Sequence, residues 1–240
     1  MKKSTPAQWA IRIGIYIIGL FCLALGVAFA VNSNLGVSPV TSLPYVVSLI
    51  SGTALSTCVI LVYGSYILLQ VLILRKEFRI INLTQIIFSA IFGYFTDFTK
   101  WLLGDFTLPT YAGQLAMLAI SIVVVALGVF LYIEVDLVPM PMEGLTLSIA
   151  KKVGKPFHSV KVVVDCTAVA VGILLSFLFF HRLEGIREGT IITAIVVGKV
   201  VAVFKKHLQS KVQKLCFGAA GPVPQEVLEM EELEGMEPEK

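Results

Sequence analysis

Charged residues are scarce in this sequence. They make up 15% of its 240 residues, while 57% are hydrophobic, and ordinary soluble domains carry about a quarter charged residues. The composition therefore excludes a soluble globular domain and predicts an integral membrane protein. The basic residues form short clusters between apolar runs and no continuous basic stripe, so we expect the lipid bilayer, and no nucleic acid, as a partner.

Cofactor and enzyme signatures are also missing. The four cysteines have no paired spacing and the three histidines no ligand spacing, so we expect no disulfide, no metal and no other cofactor. The sequence contains no phosphate-binding P-loop, no HExxH, no GxSxG and no Gly-rich dinucleotide fingerprint. These absences argue against an enzyme.

Long apolar runs are what the sequence has instead. A helix needs about 20 apolar residues to cross the hydrocarbon core, and about 17 suffice in favourable cases. Six runs reach or closely approach this length, at approximately residues 10–31, 57–74, 80–99, 113–133, 159–180 and 189–204. Two mixed stretches, at residues 40–50 and 142–151, are too short to span and predict half-depth helices covered by protein or a water-filled cavity.

The first run has an alternative interpretation as a signal peptide, because Lys2 and Lys3 precede it and Ala28-Phe29-Ala30 resembles a cleavage site. We favour a membrane span, since the same element recurs a hundred residues later.

The distribution of Lys and Arg predicts the topology. With a cytoplasmic N-terminus and six spans, thirteen cations, Arg12 among them, face the cytoplasm, and only Lys100, Arg182 and Arg187 face outward. An eight-span topology, in which the short helices also cross, moves the loop at residues 75–79 outside and fits less well. Both termini are then cytoplasmic in a multi-pass protein.

The sequence also contains an internal repeat. A shift of 102 residues aligns residues 24–27 with 126–129, Pro39 with Pro141 and Gly52 with Gly154. A further slip of three residues aligns residues 85–93 with 190–198. Three crossings per half would invert the second copy, an arrangement in which secondary transporters build a binding site between the repeats.

The predicted fold is therefore an all-α integral membrane protein with six transmembrane helices and two short half-depth helices, arranged as two inverted-topology repeats. The transmembrane domain covers residues 1–216, with repeats at about 10–101 and 112–208. Seven of the sixteen acidic residues lie in the last fifteen positions, so residues 217–240 are predicted to form a disordered acidic tail.

The breaks before the short helices carry the predicted substrate site. Ser38 and Pro39 fit the start of a helix, which leaves free backbone NH groups and a partial positive charge beside the break. An ordinary capped helix explains the same residues equally well. The second break has no cap hydroxyl and instead carries Glu143, a possible gate or coupling group. The predicted substrate-binding residues are Asn32, Ser33, Asn34, Gly36, Ser38, Pro39 and Glu143.

Ionisable residues inside apolar runs are costly and are therefore functional candidates. Asp165 and Lys199 lie in the cytoplasmic halves of neighbouring predicted spans, so they are predicted to form a coupling ion pair. A purely structural salt bridge, or a Lys199 that extends to the interface, explains the two residues as well.

Two segments carry a resemblance to a known family. The break Asn34-Leu35-Gly36-Val37-Ser38-Pro39 and the stretch Arg187-Glu188-Gly189-Thr190-Ile191-Ile192 resemble the YczE/YyaS/YitT group of bacterial membrane proteins over residues 10–208. The second break, with Val138 and Pro139 in place of Gly36 and Val37, departs from the pattern. The resemblance implies a bacterial inner-membrane protein of a group usually called transporters, without a substrate.

Two functional hypotheses follow. The first is a secondary transporter or exporter of a small polar or anionic solute, with its site near the helix breaks. The alternative is a non-transporting membrane scaffold or regulatory partner that uses its cytoplasmic loops and tail. Whether chains associate into a homo-oligomer stays open.

Overall fold

The computed structural model describes residues 6–218, and this part of the chain is helical, with no strand. The eight α-helices are α1 (Pro6–Ser33), α2 (Pro39–Ser51), α3 (Leu55–Leu74), α4 (Gln85–Leu103), α5 (Tyr111–Glu134), α6 (Pro141–Val153), α7 (Phe157–Phe180) and α8 (Glu188–Phe217). Two 3-10 turns, Arg75–Glu77 and Ile80–Thr84, connect α3 to α4. The predicted acidic tail lies outside the described residues apart from Phe217 and Gly218.

Five helical segments are long and apolar enough to cross a membrane, as in a multi-pass membrane protein. They are Pro6–Ser33, Leu55–Glu77, Ile80–Leu103, Tyr111–Glu134 and Phe157–Phe180. Helix α8 contains the sixth predicted run but is not among the five; its sequence includes lysines from Lys199 onward. With 30 residues, α8 is about 45 Å long at 1.5 Å per residue.

The two short helices form where the sequence predicts them. Helices α2 and α6 have 13 residues each, which gives about 20 Å of helix against a hydrocarbon core of about 30 Å. Each begins with a proline and ends at a glycine with left-handed backbone, Gly52 at φ 64° and Gly154 at φ 66°. Glycine adopts this conformation without steric cost, so both helices stop at defined positions.

Several backbone features recur at an offset of 102 residues. Asn34 and Asp136 both have positive φ, at 56° and 48°. Ala54 and Pro156, which precede α3 and α7, have the same φ of −54° and ψ of 141°. The chain therefore bends in the same way at both breaks and again where α3 and α7 begin.

Helices α1 and α5 cross at the centre of the fold through small residues. A Cβ on Gly26 would lie 2.9 Å from the Val125 nitrogen and 3.1 Å from the Ser121 oxygen. A Cβ on Gly128 would lie 2.7 Å from both the Gly19 oxygen and the Leu23 nitrogen. Residues late in α1 thus meet residues early in α5, and the reverse, so the two helices are antiparallel. Since Gly26, Gly19 and Leu23 are 102 positions before Gly128, Ser121 and Val125, the contact is reciprocal, as it would be about a twofold axis.

The remaining helices follow this symmetry in their main contacts, but α8 breaks it, because it also contacts α1 and α2 while α4 makes no comparable contact with α5 or α6. Helix α4 packs on α1 as α8 packs on α5, and each short helix packs on a long helix of the other half, α2 on α7 and α6 on α3. Helix α3 also packs closely on α4, but α7 makes no comparable contact with α8. The second half is therefore open where the first half is closed.

Candidate functional site

A cavity of about 320 Å³ lies where the two halves meet. The first turns of α2 and α6 contribute to its wall, together with residues of all six long helices. Its polar and charged lining consists of Ser38, Thr41, Tyr63, Tyr132, Glu143, His158, Lys161, Asp165 and Thr193. Most of the other lining residues are aliphatic or aromatic, which is the usual composition of a site for a small molecule.

Three charged side chains form a cluster at one side of the cavity. The Lys161 Nζ atom lies 2.6 Å from Asp165 Oδ1 and 4.0 Å from Glu143 Oε1. Lys161 and Asp165 are one helical turn apart on α7, so their side chains project from the same face. The side chains of Glu143, Lys161 and Asp165 are 14%, 21% and 22% exposed, so water screens their charges only in part.

Buried oxygens without hydrogen-bond partners surround this cluster. Glu143 Oε2 is buried with no partner, and so are the hydroxyls of Tyr63 and Tyr66 on α3. Tyr63 is 1% exposed and lines the cavity, while Tyr132 on α5 interacts with the Glu143 carboxyl. An unpaired buried polar group costs about 1–3 kcal/mol, so the cluster has unused capacity to bind.

The cluster contains two carboxylates and one ammonium. The helix N-termini of α2 and α6 face the same cavity and carry partial positive charge, which stabilises a nearby anion by about 0.3–2 kcal/mol. Moving one carboxylate out of water costs several kcal/mol. A partial charge at a helix end recovers less than this. The helix ends therefore do not balance the second carboxylate.

Helices α7 and α8, which both line the cavity, leave a gap between them that α3 and α4 do not. Gly93 on α4 packs against Ser56 on α3, so that a Cβ on Gly93 would lie 3.4 Å from Ser56 Cβ, and Asp97 Oδ1 accepts a hydrogen bond of 3.2 Å from the Ser56 nitrogen. The residues that the repeat aligns with Ser56 and Gly93 are His158 and Gly198. Both are exposed and line the cavity, and a Cβ on Gly198 would meet nothing within 4 Å.

Four predicted site residues line this cavity. They are Ser38 and Pro39 at the start of α2, Glu143 in the first turn of α6, and Asp165 on α7. The Ser38 hydroxyl makes no cap hydrogen bond to the backbone and lies 3.0 Å from the Thr41 hydroxyl. The structure thus brings both helix breaks and the α7 carboxylate together.

The other four residues of the first break hold the backbone instead. Asn32 Nδ2 donates to the Gly104 oxygen at 2.9 Å, and Ser33 Oγ donates to the Ala30 oxygen at 2.7 Å. The Asn34 oxygen accepts from Arg187 Nη1 at 2.9 Å. Gly36, at φ 99°, leaves no room for a side chain, because a Cβ would lie 2.6 Å from the Arg187 nitrogen.

The ion pair of Asp165 differs from the prediction. Asp165 pairs with Lys161 on its own helix, whereas Lys199 is exposed, does not line the cavity, and has no ion pair among the described residues. The i,i+4 spacing on one helix places Lys161 within reach of Asp165 whatever the orientation of α8. Lys199 would need α7 and α8 to pack together, which they do not.

The second break is also held at its far end. Arg12 donates from Nε to the Val135 oxygen at 2.8 Å and from Nη2 to the Asp136 oxygen, while the Tyr16 hydroxyl donates to the Val138 oxygen at 2.9 Å. Arg12 is 5% exposed. The sequence interpretation treated Arg12 only as a topology signal, so this structural role of a buried cation was missed.

Sequence reasoning also missed Tyr63, Tyr132 and His158 as lining residues. Tyrosines within apolar runs give no pattern that separates a cavity wall from a core. Only the repeat supplied a signal, since it aligns His158 with Ser56 at the same helix start.

Comparison with known proteins gives one result. Residues 10–206 match the sequence profile described as a family of unknown function, DUF6198. Neither the curated proteins nor the solved structures give a match, and the match does not mention the YczE/YyaS/YitT group. Because the matched segment covers most of the chain, with its helix breaks and cavity, this protein belongs to the DUF6198 family.

Proposed function

We propose that this protein is a secondary transporter or exporter of a small solute in the bacterial inner membrane. The cavity between the halves is the substrate site, with Ser38, Pro39 and Glu143 in its wall and Asp165 as a coupling group. Asn32, Ser33, Asn34 and Gly36 fix the position of the first break beside it.

The proposed architecture has six spans in two inverted repeats. The antiparallel crossing of α1 and α5 supports it, because two spanning helices related by an axis in the membrane plane run in opposite directions. An exposed ion pair of 3.3 Å between Lys151 and Glu77 supports the assignment of both loops to one side, which the charge distribution makes the cytoplasm.

The observation that carries the transport proposal is the difference between the two helix pairs. Closed packing of Ser56 on Gly93 and open placement of His158 and Gly198 are two conformations of one repeated motif. With the proposed topology, the opening between α7 and α8 faces the cytoplasm, and the α3–α4 contact closes the cavity toward the outside. A membrane scaffold has no need for a site that is closed on one side only.

The transport cycle then follows from the repeat. If α7 and α8 close as α3 and α4 do here, while α3 and α4 separate, the cavity opens to the other side with the site unmoved. Two arrangements of similar packing are the kind of bistable element on which such transitions depend. The hydrogen bond of Asp97 has no counterpart in the second half, where Ala202 is aligned, so the two gates differ in strength.

Paired cysteines test this cycle. In a background without the four natural cysteines, Ser56→Cys with Gly93→Cys should form a disulfide readily, since the Cβ separation is close to the disulfide range of about 3.5–4.5 Å. The matched pair His158→Cys with Gly198→Cys should also form one, more slowly, through the transient closed state of α7 and α8. Gel mobility before and after reduction measures both.

A variant with all four introduced cysteines provides the decisive comparison. Once the first bridge has formed, the second should form more slowly, because closing α7 onto α8 requires α3 and α4 to part. A non-equivalent pair, Gly64→Cys with Gly198→Cys, controls for random collision. Alternating access would be contradicted, and the scaffold favoured, if the second bridge formed no faster than the control pair. The same holds if its rate of formation were the same with and without the first bridge.

A further inference from the structure

The charged cluster of the cavity has two carboxylates and a single ammonium group to balance them. Lys161 balances Asp165 at 2.6 Å and reaches Glu143 only at 4.0 Å. Near Glu143, Tyr63 is 1% exposed and lines the cavity, and its hydroxyl has no hydrogen-bond partner. The site therefore contains both a surplus acid and an unused hydroxyl.

We propose that the cavity binds a monovalent organic cation with an ammonium head and an apolar body, in exchange for a proton carried by Glu143. This substrate class rests on the transport function proposed above. The helix breaks alone favour an anion. The first turn of α6, however, already contains the Glu143 carboxyl, while the corresponding position in α2 is Thr41, so the proposed substrate is a cation.

The chemistry of the head-group site favours a cation. An ammonium group beside Glu143 would restore charge balance and could donate hydrogen bonds to Glu143 Oε2 and to the Tyr63 hydroxyl, the two atoms here that have no hydrogen-bond partner. Rings of Tyr63, Phe92 and Tyr132 also line the cavity, and aromatic rings attract cations. A bound anion would instead lie beside two carboxylates.

The rest of the cavity favours an organic cation over a metal ion. Its volume of about 320 Å³ is large for a bare ion and suits a small molecule. Val27, Val125, Val129 and Val197 offer apolar surface and no ligand oxygen. Among the described residues, no group of three or more His, Cys, Asp or Glu could hold a metal.

Exchange for a proton keeps the site neutral throughout. In the empty site, protonated Glu143, Asp165⁻ and Lys161⁺ sum to zero. When the cation binds, the O–H bond of Glu143 breaks, its electron pair stays on the carboxylate, and the proton leaves to water through the opening. The titratable groups near Glu143 are Tyr63 and Tyr66 from α3, Tyr132 from α5, and His158, Lys161 and Asp165 from α7.

A series of phenyl compounds that differ in charge and are similar in size tests the proposal on the full-length protein in detergent. The probes are 2-phenylethylammonium, the neutral 2-phenylethanol, the anion 3-phenylpropionate and zwitterionic phenylalanine. Calorimetry measures binding, and an indicator dye in weak buffer measures proton release. We expect 2-phenylethylammonium to bind most tightly and to release up to one proton per molecule bound, while the neutral probe releases none.

Three variants locate the effect. Glu143→Gln should weaken binding of the cation about thirtyfold or more and abolish proton release. Tyr63→Phe should weaken binding about threefold to tenfold and leave the protons released per bound cation unchanged. Glu134→Gln removes a carboxyl that is buried on α5 but does not line the cavity, and it should change neither quantity.

Tighter binding of 3-phenylpropionate or phenylalanine, or proton release that survives Glu143→Gln, would overturn the cation assignment and leave the transport cycle standing. If the cation binds but the paired cysteines show no alternating closure, the transport cycle is contradicted and the cation assignment of the cavity stands. If Glu143→Gln does not fold, the charge series and Tyr63→Phe still decide the question.

Discussion

The difference between Thr41 and Glu143 shows how a repeat becomes asymmetric at single positions. Both residues lie at the third position of a short helix that begins with proline, and both line the cavity. Thr41 completes a local bond to Ser38, whereas Glu143 brings a charge that the helix itself does not require. The two halves thus share a backbone but divide the chemistry between them.

Lys161 is expected to be the residue on which the charge cluster depends. Lys161→Met leaves the Asp165 carboxylate without its counter-charge, and removing one partner of a fully buried pair costs about 3–5 kcal/mol. Because these side chains are about a fifth exposed, we expect a smaller loss, on the order of 1–3 kcal/mol. Thermal unfolding in detergent measures it.

Lys199→Met is the matched control. Because Lys199 has no ion pair among residues 6–218, this substitution should leave the melting temperature nearly unchanged. Adding Asp165→Asn to Lys161→Met should recover part of the lost stability, because it removes one uncompensated charge. If Lys199→Met lowered the melting temperature more than Lys161→Met, the result would favour the Asp165–Lys199 ion pair predicted from the sequence.

At the scale of elements, small residues explain how α1 and α5 approach each other. In lipid there is no hydrophobic driving force between helices, so their association depends on close packing, which small residues such as glycine allow. Gly26 and Gly128 occupy equivalent positions of the repeat, and each faces backbone atoms of the opposite helix. The central crossing therefore depends on two residues that have no side chain.

Gly128→Ala should separate α1 from α5. Its Cβ would lie 2.7 Å from two backbone atoms of α1, and backbone cannot move aside as a side-chain end can, so we expect a loss of about 1–3 kcal/mol. Gly64→Ala on α3 meets nothing within 4 Å and should be neutral or raise stability by up to about 1 kcal/mol through helix propensity. Equal melting temperatures for the two variants would contradict the crossing.

Elements were the most predictable part of the structure. Apolar runs long enough to span, and the proline and glycine that bound α2 and α6, are local signals, so their positions could be predicted from the sequence. The cavity wall could not, because Tyr63, His158 and Lys161 come together only through contacts between distant helices. Asp165 was found because it is charged within an apolar run, but its partner depended on how α7 packs.

At the scale of the whole molecule, the orientation in the membrane is the property to measure. The Glu77–Lys151 ion pair and the contact of the Asn34 oxygen with Arg187 group the loops into two sets. A cysteine at Lys76 should react with an impermeant reagent only from the cytoplasmic side, and one at Leu183 only from outside. Both positions are exposed, so accessibility within the protein does not limit labelling.

Permeabilised cells, in which both cysteines should react, provide the control. Labelling of Lys76→Cys from outside would place α2 across the membrane and make the repeats parallel. The antiparallel crossing of α1 and α5 would then have to be explained without an axis in the membrane plane.

The reciprocal contact between α1 and α5 also bears on ancestry. Because Gly26 meets Ser121 and Val125 while Gly128 meets Gly19 and Leu23, each half carries both surfaces of the contact. A chain of half this length would therefore be self-complementary and could pair, antiparallel and about a twofold axis, with a second copy of itself. Duplication and fusion of such a gene would preserve the crossing and allow the two copies to diverge. Thr41 and Glu143, at equivalent positions, are an example of such divergence.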